Sequence, residues 1–240
     1  MCDDLAVVAR RLELSTRLAV VRESIARACA AAGRQPGAVT LVVVTKTWPA
    51  SDVRLLAELG VGDVGENRDQ EATQKHALCE DLALRWHFVG QLQTSKSSSV
   101  IRYANMVHSV DRPRLVSALS TAVEHLGREP LTCLVEVNLD DEPKAGRGGV
   151  APSGVRDLAE QIANAGGLQL GGVMGVAPLG GDAQAAFYRL QEIGAQVAED
   201  HSSATIVSAG MSGDFVAAIN AGATHVRMGA AVLGHRPPLR

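Results

Sequence analysis

The sequence predicts an α/β fold, a (β/α)8 TIM-type barrel preceded by one extra helix. Three observations carry that expectation. Eight short, valine-rich apolar runs alternate with helix-patterned stretches, the order of repeated βα units. The runs are often apolar on both faces, as parallel strands covered by helices are. And 240 residues suit one such barrel, with no low-complexity linker to divide them.

Along the chain, the first element reads as a helix over about residues 5–33, because Leu5, Val8, Leu12, Leu18, Val21, Ile25 and Cys29 recur at helical spacing with Arg10, Arg11, Arg17 and Arg22 between them. Ala31-Ala32-Gly33 ends it, and a turn follows at Gln35-Pro36-Gly37. Strands are expected at Val39–Thr45, Gly62–Gly65, Arg85–Val89, Asn105–Val110, Leu131–Val137, Leu168–Met174, Thr205–Ser208 and His225–Met228. Helices are expected between them at 52–60, 67–80, 95–104, 112–126, 153–165, 183–199 and 212–220. The barrel then spans about 39–235 within a single domain of residues 1–240. Periodicity does not report closure, so an open doubly wound sheet is the alternative.

A net charge of −3 and a pI near 6.2 leave no basic field for a nucleic acid or an anionic membrane. No apolar run approaches the roughly 20 residues that cross a bilayer, and acids precede the first basic residue, unlike a signal peptide. Cys2, Cys29, Cys79 and Cys133 scatter without metal or disulfide spacing, so a reduced, cytoplasmic protein is expected. Only four of the 23 basic residues are lysines: Lys46, Lys75, Lys96 and Lys144. A bias toward arginine codons explains most of that imbalance, and it makes each lysine worth a separate reason.

In a parallel barrel the reacting groups gather at the carboxyl ends of the strands. The first strand delivers Lys46 directly after an apolar run. The second leads into Gly65-Glu66-Asn67, the sixth ends at Met174, and the seventh and eighth run into Ser208-Ala209-Gly210-Met211-Ser212-Gly213-Asp214 and Arg227-Met228-Gly229-Ala230. The last two segments read as an anion site, with glycines allowing close backbone approach and Ser208 and Ser212 adding hydroxyls. Ser212 equally suits a helix cap. A lysine at the mouth after an apolar strand is expected to be partly desolvated, which lowers its pKa and frees an amine able to form a Schiff base with a carbonyl; snorkelling to solvent is the plain alternative. Facing an anion site, that lysine suggests a phosphorylated aldehyde. The Gly60–Gly65 match to a dinucleotide fingerprint leaves a helix and enters a strand, the reverse of the required context. Gly210–Asp214 lacks the last glycine of a nucleophile elbow. The histidines have no ligand spacing, so no metal site is expected, and His87 reads as a packed, hydrogen-bonded residue.

Val43-Val44-Thr45-Lys46-Thr47, Gly65-Glu66-Asn67 with Gln70-Glu71, Trp86–Gly90 with Leu92-Gln93 and Lys96, Asp141–Gly146, and Ser208–Gly234 form a set of segments. Together they resemble the pyridoxal phosphate homeostasis protein family. The resemblance runs in order from about residue 10 to 235. It implies the barrel of the alanine racemase N-terminal domain without the second, β-rich domain, and pyridoxal 5′-phosphate (PLP) as cofactor. It further implies a Schiff base on Lys46, Asn67 near the ring and its 3-hydroxyl, Met174 on the ring face, Ser208 with the backbone of Gly229 and Ala230 at the phosphate, and Arg227 at the pyridine nitrogen. Ser95 stands where the family usually has Asn, Ala230 where it usually has Thr, and Leu233 where Phe is common; Ala230 removes one hydroxyl donor to the phosphate.

An arginine stays protonated, so it can only donate to the ring nitrogen and leaves that nitrogen without a proton. Enzymes that use PLP as a strong electron sink place a carboxylate there. The racemases supply a tyrosine from a second domain, whereas this chain has only Tyr103 and Tyr188, both in helix-patterned stretches. The expected function is therefore PLP homeostasis without catalytic residues, the cofactor being passed to PLP-dependent apoenzymes. Weak amino-acid racemisation and a class I aldolase using Lys46 with Glu66 are the enzymatic alternatives, and a scaffold role is a third. Lys96 and Lys144 are candidates for transient acceptance of the cofactor.

Overall fold

A computed structural model describes residues 2–35, 37–140 and 147–234. Eight parallel strands follow one another around a closed barrel: β1 (Thr40–Val44), β2 (Asp63–Glu66), β3 (Arg85–Phe88), β4 (Met106–Val110), β5 (Leu131–Val137), β6 (Leu168–Gly175), β7 (Ile206–Ser208) and β8 (His225–Met228). Closure is made by β8 on β1, in register from Thr40 with His225 to Val43 with Met228, and this removes the doubly wound alternative. The helices are α1 (Cys2–Ala31), α2 (Ala50–Glu58), α3 (Asp69–Ala77), α4 (Ser97–Val100), α5 (Pro113–Leu126), α6 (Val155–Asn164), α7 (Ala183–Asp200), α8 (Phe215–Asn220) and α9 (Ala230–Leu233). β5 and β8 have the bounds that their apolar runs predict; β5 ends where Asn138 follows and β8 where Gly229 follows. The helix expected at 95–104 is instead a 3₁₀ turn, Thr94–Lys96, followed by the single turn of α4. α9 was not expected, being too short to show a period.

The long first helix packs over only part of its length. Leu14, Leu18, Val21, Ile25 and Cys29 are buried, but Leu5, Val8 and Leu12 are 69%, 62% and 68% exposed. The apolar spacing is helical throughout, yet α1 overshoots the elements it covers, α2, α8 and α9. Arginines hold it there by capping carbonyl ends of neighbouring helices. Arg22 donates to the carbonyls of Leu59 and Gly60 after α2, Arg34 to those of Ile219 and Ala223 at α8, and Arg10 to that of Leu233 in α9. Arg10 also pairs with Asp52 at 2.7 Å and lies 4.5 Å above the Trp48 ring. Part of the arginine excess thus has a structural use.

Two bulges decide which side chains face inward. Cys133 pairs with Leu170 but Leu134 with Gly172, so β6 carries one extra residue, Gly171. Gly172 has φ +140° and lies so close to β7 that a Cβ would stand 2.1 Å from the Ile206 carbonyl oxygen. In β4, Val107 pairs with Cys133 and Val110 with Val135, which places the extra residue at His108–Ser109. The main core fills the shell between strands and helices. Inside the barrel, Met106, Leu134 and Met174 form a small apolar cluster. Asp63, His87, His108, Ser208, His225 and Arg227 are also buried, where branched aliphatic residues commonly fill such a barrel.

Candidate functional site

Lys46 stands in the turn two residues past the end of β1 and is exposed, not desolvated among the valines as the sequence suggested. The chain turns out of the strand at Thr45, whose own side chain takes the buried position. Thr45 Oγ1 donates to Glu66 Oε1 at 2.6 Å, and Lys75 Nζ donates to the Thr45 carbonyl at 2.6 Å and to Glu66 Oε1 and Glu71 Oε1 at 2.7 Å each. On the other side of Lys46, the Thr47 N–H donates to Glu71 Oε1. Thr47 has φ +70°, a left-handed conformation that a β-branched residue rarely adopts. The turn bearing Lys46 is thus clamped on both flanks by one buried ion cluster. Burial holds the Glu66 carboxyl above the usual range despite Lys75 and Thr45. Glu66 is therefore engaged by Lys75, not positioned as a free acid beside Lys46 as the aldolase alternative required.

The next strand ends supply the other expected residues. Asn67 follows Glu66 and is half-buried; a Cβ at Gly90 would stand 2.3 Å from its carbonyl oxygen, so the loop after β3 packs directly on it. Met174 is buried with Met106 and Leu134, in register with Glu136 on one side and Ser208 on the other. Arg227 is buried inside the barrel. Its Nη1 donates to Ser208 Oγ at 2.6 Å and its Nη2 to the Gly175 carbonyl at 3.0 Å. Burial lowers its pKa to about 10, against the opposing fields of Glu136 and Asp214, and no carboxylate lies within ion-pair distance of it among the described residues.

The hydroxyl of Ser208, expected to be open to an anion, is committed to Arg227 and to His108 Nδ1 at 2.9 Å. Ser212 does not cap α8: that helix begins at Phe215, Asp214 takes the cap position, and its carboxylate receives the Met211 N–H at 2.6 Å. The backbone is what these loops offer. A Cβ at Gly229 would lie 3.1 Å from the Val44 carbonyl oxygen, and Gly210, at φ +89°, has Ala218 where its Cβ would be. The N–H groups of Gly229, Ala230 and Ala231 make no hydrogen bond within the described residues.

A cavity of about 460 Å³, lined by Glu136, Arg147, Val176, Met211 and Asp214 among others, opens at the ends of β5, β6 and β7, and the Glu136 and Asp214 charges on its wall reach Arg227. A larger hollow of about 610 Å³ lies between α4 and α5 and involves none of the interior residues. The sequence reading missed Glu136. Burial, with Asp111, pushes its carboxyl up to about 7 against Arg227, Arg147 and Arg112, and its Oε2 is buried without a partner. It also missed His108 and the role of Lys75. A polar residue in the middle of a buried strand was the available signal for Glu136 and His108. Tyr103 is buried behind α3, with its hydroxyl 3.5 Å from Asp69, and Tyr188 is exposed on α7. Lys96 is exposed after β3, and Lys144 lies outside the described residues.

The alanine racemase N-terminal domain family matches residues 16–237. The pyridoxal phosphate homeostasis protein of Mycobacterium tuberculosis is 41% identical over 245 residues, covering 95% of this chain and 94% of that protein. Its counterpart in Pseudomonas aeruginosa is 38% identical over 226 residues, covering 93% and 96%. Among solved structures, PipY of Synechococcus elongatus with PLP bound superposes with a TM-score of 0.79 at 31% identity, covering 92% of this chain and all (100%) of that one. The alanine racemase of Corynebacterium glutamicum, at 13% identity and a TM-score of 0.69, shares the barrel over 96% of this chain and 63% of its own length.

Proposed function

Because this chain belongs to the pyridoxal phosphate homeostasis protein family, built on the alanine racemase N-terminal barrel, we propose that it holds PLP at the barrel mouth, attached to Lys46, as a reserve for other proteins. The observation that carries the reading is Arg227. It is a buried guanidinium with two of its five N–H groups hydrogen-bonded and, among the described residues, no carboxylate within ion-pair distance. Such a group suits an acceptor that is not itself protonated, as a pyridine nitrogen is. The rest of the donor set fits as well. The open N–H groups at Gly229 and Ala230 suit phosphate oxygens, Met174 supplies an apolar wall, and Asn67 stands at the neighbouring strand end.

When bound, PLP supplies an aldehyde that an amine can hold covalently and a ring able to accept electrons. Lys46 supplies the amine, and its exposure lets the aldehyde arrive and leave. Lys75, Glu66 and Glu71 keep the Lys46 turn in place. Arg227 withholds a proton from the ring nitrogen, the Tyr103 hydroxyl is turned to Asp69, and Tyr188 is exposed on α7. These residues bind and orient, and their chemistry favours storage over turnover. The reading carries with it PLP-dependent apoenzymes as recipients and the cytoplasm as the place of exchange.

One observation favours a second reading, a weak amino-acid racemase. Glu136, on the cavity wall with its carboxyl titrating near 7, can exchange a proton at neutral pH. One experiment tests both. PLP-loaded protein is reduced with borohydride and digested, and the modified peptide is identified by mass spectrometry. The adduct is expected on Lys46 and is expected to vanish in Lys46→Ala; an adduct that persists in that variant overturns the attachment. Racemisation by the loaded protein is expected to match free PLP, and faster turnover that Glu136→Gln abolishes would establish the racemase instead.

A further inference from the structure

A line of buried polar side chains crosses the barrel interior behind Arg227, and nothing in the storage reading uses it. Arg227 Nη1 donates to Ser208 Oγ at 2.6 Å, and Ser208 Oγ meets His108 Nδ1 at 2.9 Å. His108 Nε2 meets His87 Nδ1 at 2.9 Å, and His87 Nε2 meets Asp63 Oδ1 at 2.9 Å. Asp63, at the start of β2, also takes Arg85 Nη2 at 2.8 Å. Ser208 and His108 are fully buried at 0% exposure and His87 is at 2%.

With both imidazoles neutral, the two ends leave one arrangement of hydrogens. A guanidinium only donates and an ionised carboxylate only accepts. His87 therefore gives its Nε2–H to Asp63 and presents Nδ1 as an acceptor. His108 fills that acceptor with its own Nε2–H, which leaves its Nδ1 to receive the Ser208 hydroxyl hydrogen. The Ser208 lone pairs are then turned to Arg227. Burial, reinforced by the Arg227 charge, holds His108 well below the ordinary histidine range. Burial alone would raise Asp63, but the hydrogen bonds from His87 and Arg85, with the Arg85 charge, hold it low. The bulge in β4 falls at His108–Ser109, where an extra residue re-aims a side chain.

We propose that His108 is a positioning residue: acting through Ser208, with His87 and Asp63 behind it, it fixes the guanidinium of Arg227 toward the PLP ring nitrogen. The proposal rests on the PLP reading above. A long side chain with no ion-pair partner among the described residues keeps one orientation only if its acceptors are themselves held, and Ser208 is held by His108.

The test has two arms. In the cofactor-free protein, ¹⁵N NMR of the histidine rings is expected to show His87 and His108 neutral with hydrogen on Nε2; hydrogen on Nδ1 of His108, or a protonated ring there, overturns the relay. In the second arm PLP is titrated into wild type, His108→Leu, His108→Asn and Ser208→Ala, reading affinity and the absorption band of the bound cofactor. His108→Leu and Ser208→Ala are expected to weaken PLP binding about tenfold and to displace the band, the scale of one charge-assisted hydrogen bond. His108→Asn, whose amide oxygen can replace Nδ1 as acceptor, is expected to recover most of both. Should His108→Leu fail to fold, Ser208→Ala and His108→Asn carry the comparison. Folded variants that bind PLP with wild-type affinity and band overturn the positioning role and leave the storage reading standing. A wild-type chain that takes up no PLP overturns both.

Discussion

Thr47 is the residue where local cost is plainest. A threonine at φ +70° is held against its own preference by the clamp of Lys75 and Glu71 on the neighbouring backbone. Thr47→Gly is expected to stabilise the cofactor-free protein by about 1 kcal/mol in chemical denaturation; an unchanged or lowered stability would mean that the threonine side chain returns more than the strain removes. At this scale the sequence exposed Lys46 by its rarity and its place after an apolar strand, and Arg227 by its place in the eighth. It could not show that Lys46 is solvated, because that depends on which way the chain turns at Thr45. Lys75 was visible as one of four lysines, but its burial comes from two carboxylates, Glu66 and Glu71, brought to it by β2 and α3.

Among the elements, β6 has most to do with where the site points. The Gly171-Gly172 bulge sets Met174 beside Glu136 and Ser208, and the backbone of Gly172 is pressed against Ile206. Gly172→Ala is expected to lower stability by about 3 kcal/mol or more, from both the clash and the positive φ, measured as a fall in denaturation midpoint. A neutral result would mean that β7 can shift without resistance. The run Leu168–Met174 was legible as a strand from its apolar residues, and paired glycines within it are a bulge signal. The bulge itself was not predicted, since register is a relation between two strands. The same limit applies to α1. Its period was correct along its length, but which turns are covered was decided by how far α2, α8 and α9 reach.

For the whole molecule, the unusual feature is a barrel interior that buries Asp63, His87, His108, Ser208, His225 and Arg227. His225, beside His87 with ring centroids 6.3 Å apart, is lowered to about 4 chiefly by burial, the Arg85 and Arg227 charges adding to it and Asp63 opposing. The folded state then binds fewer protons than the unfolded state between pH 6.5 and 4. Stability is present above the ordinary histidine pKa and lost as pH falls through that window. His225→Gln is expected to reduce the acid slope by up to one proton, about 1.4 kcal/mol per pH unit; equal slopes in wild type and variant would show that His225 titrates normally. What the sequence determined by itself was the alternation of strands and helices, and with it the face on which the strand ends meet, because side-chain period and apolar pattern are local properties of a chain. Closure, the two bulges, the solvation of Lys46 and the buried line from Arg227 to Asp63 were decided only in the tertiary structure. Each depends on groups distant in the chain meeting across the barrel, where the acceptor that one donor finds is set by every other pair already made.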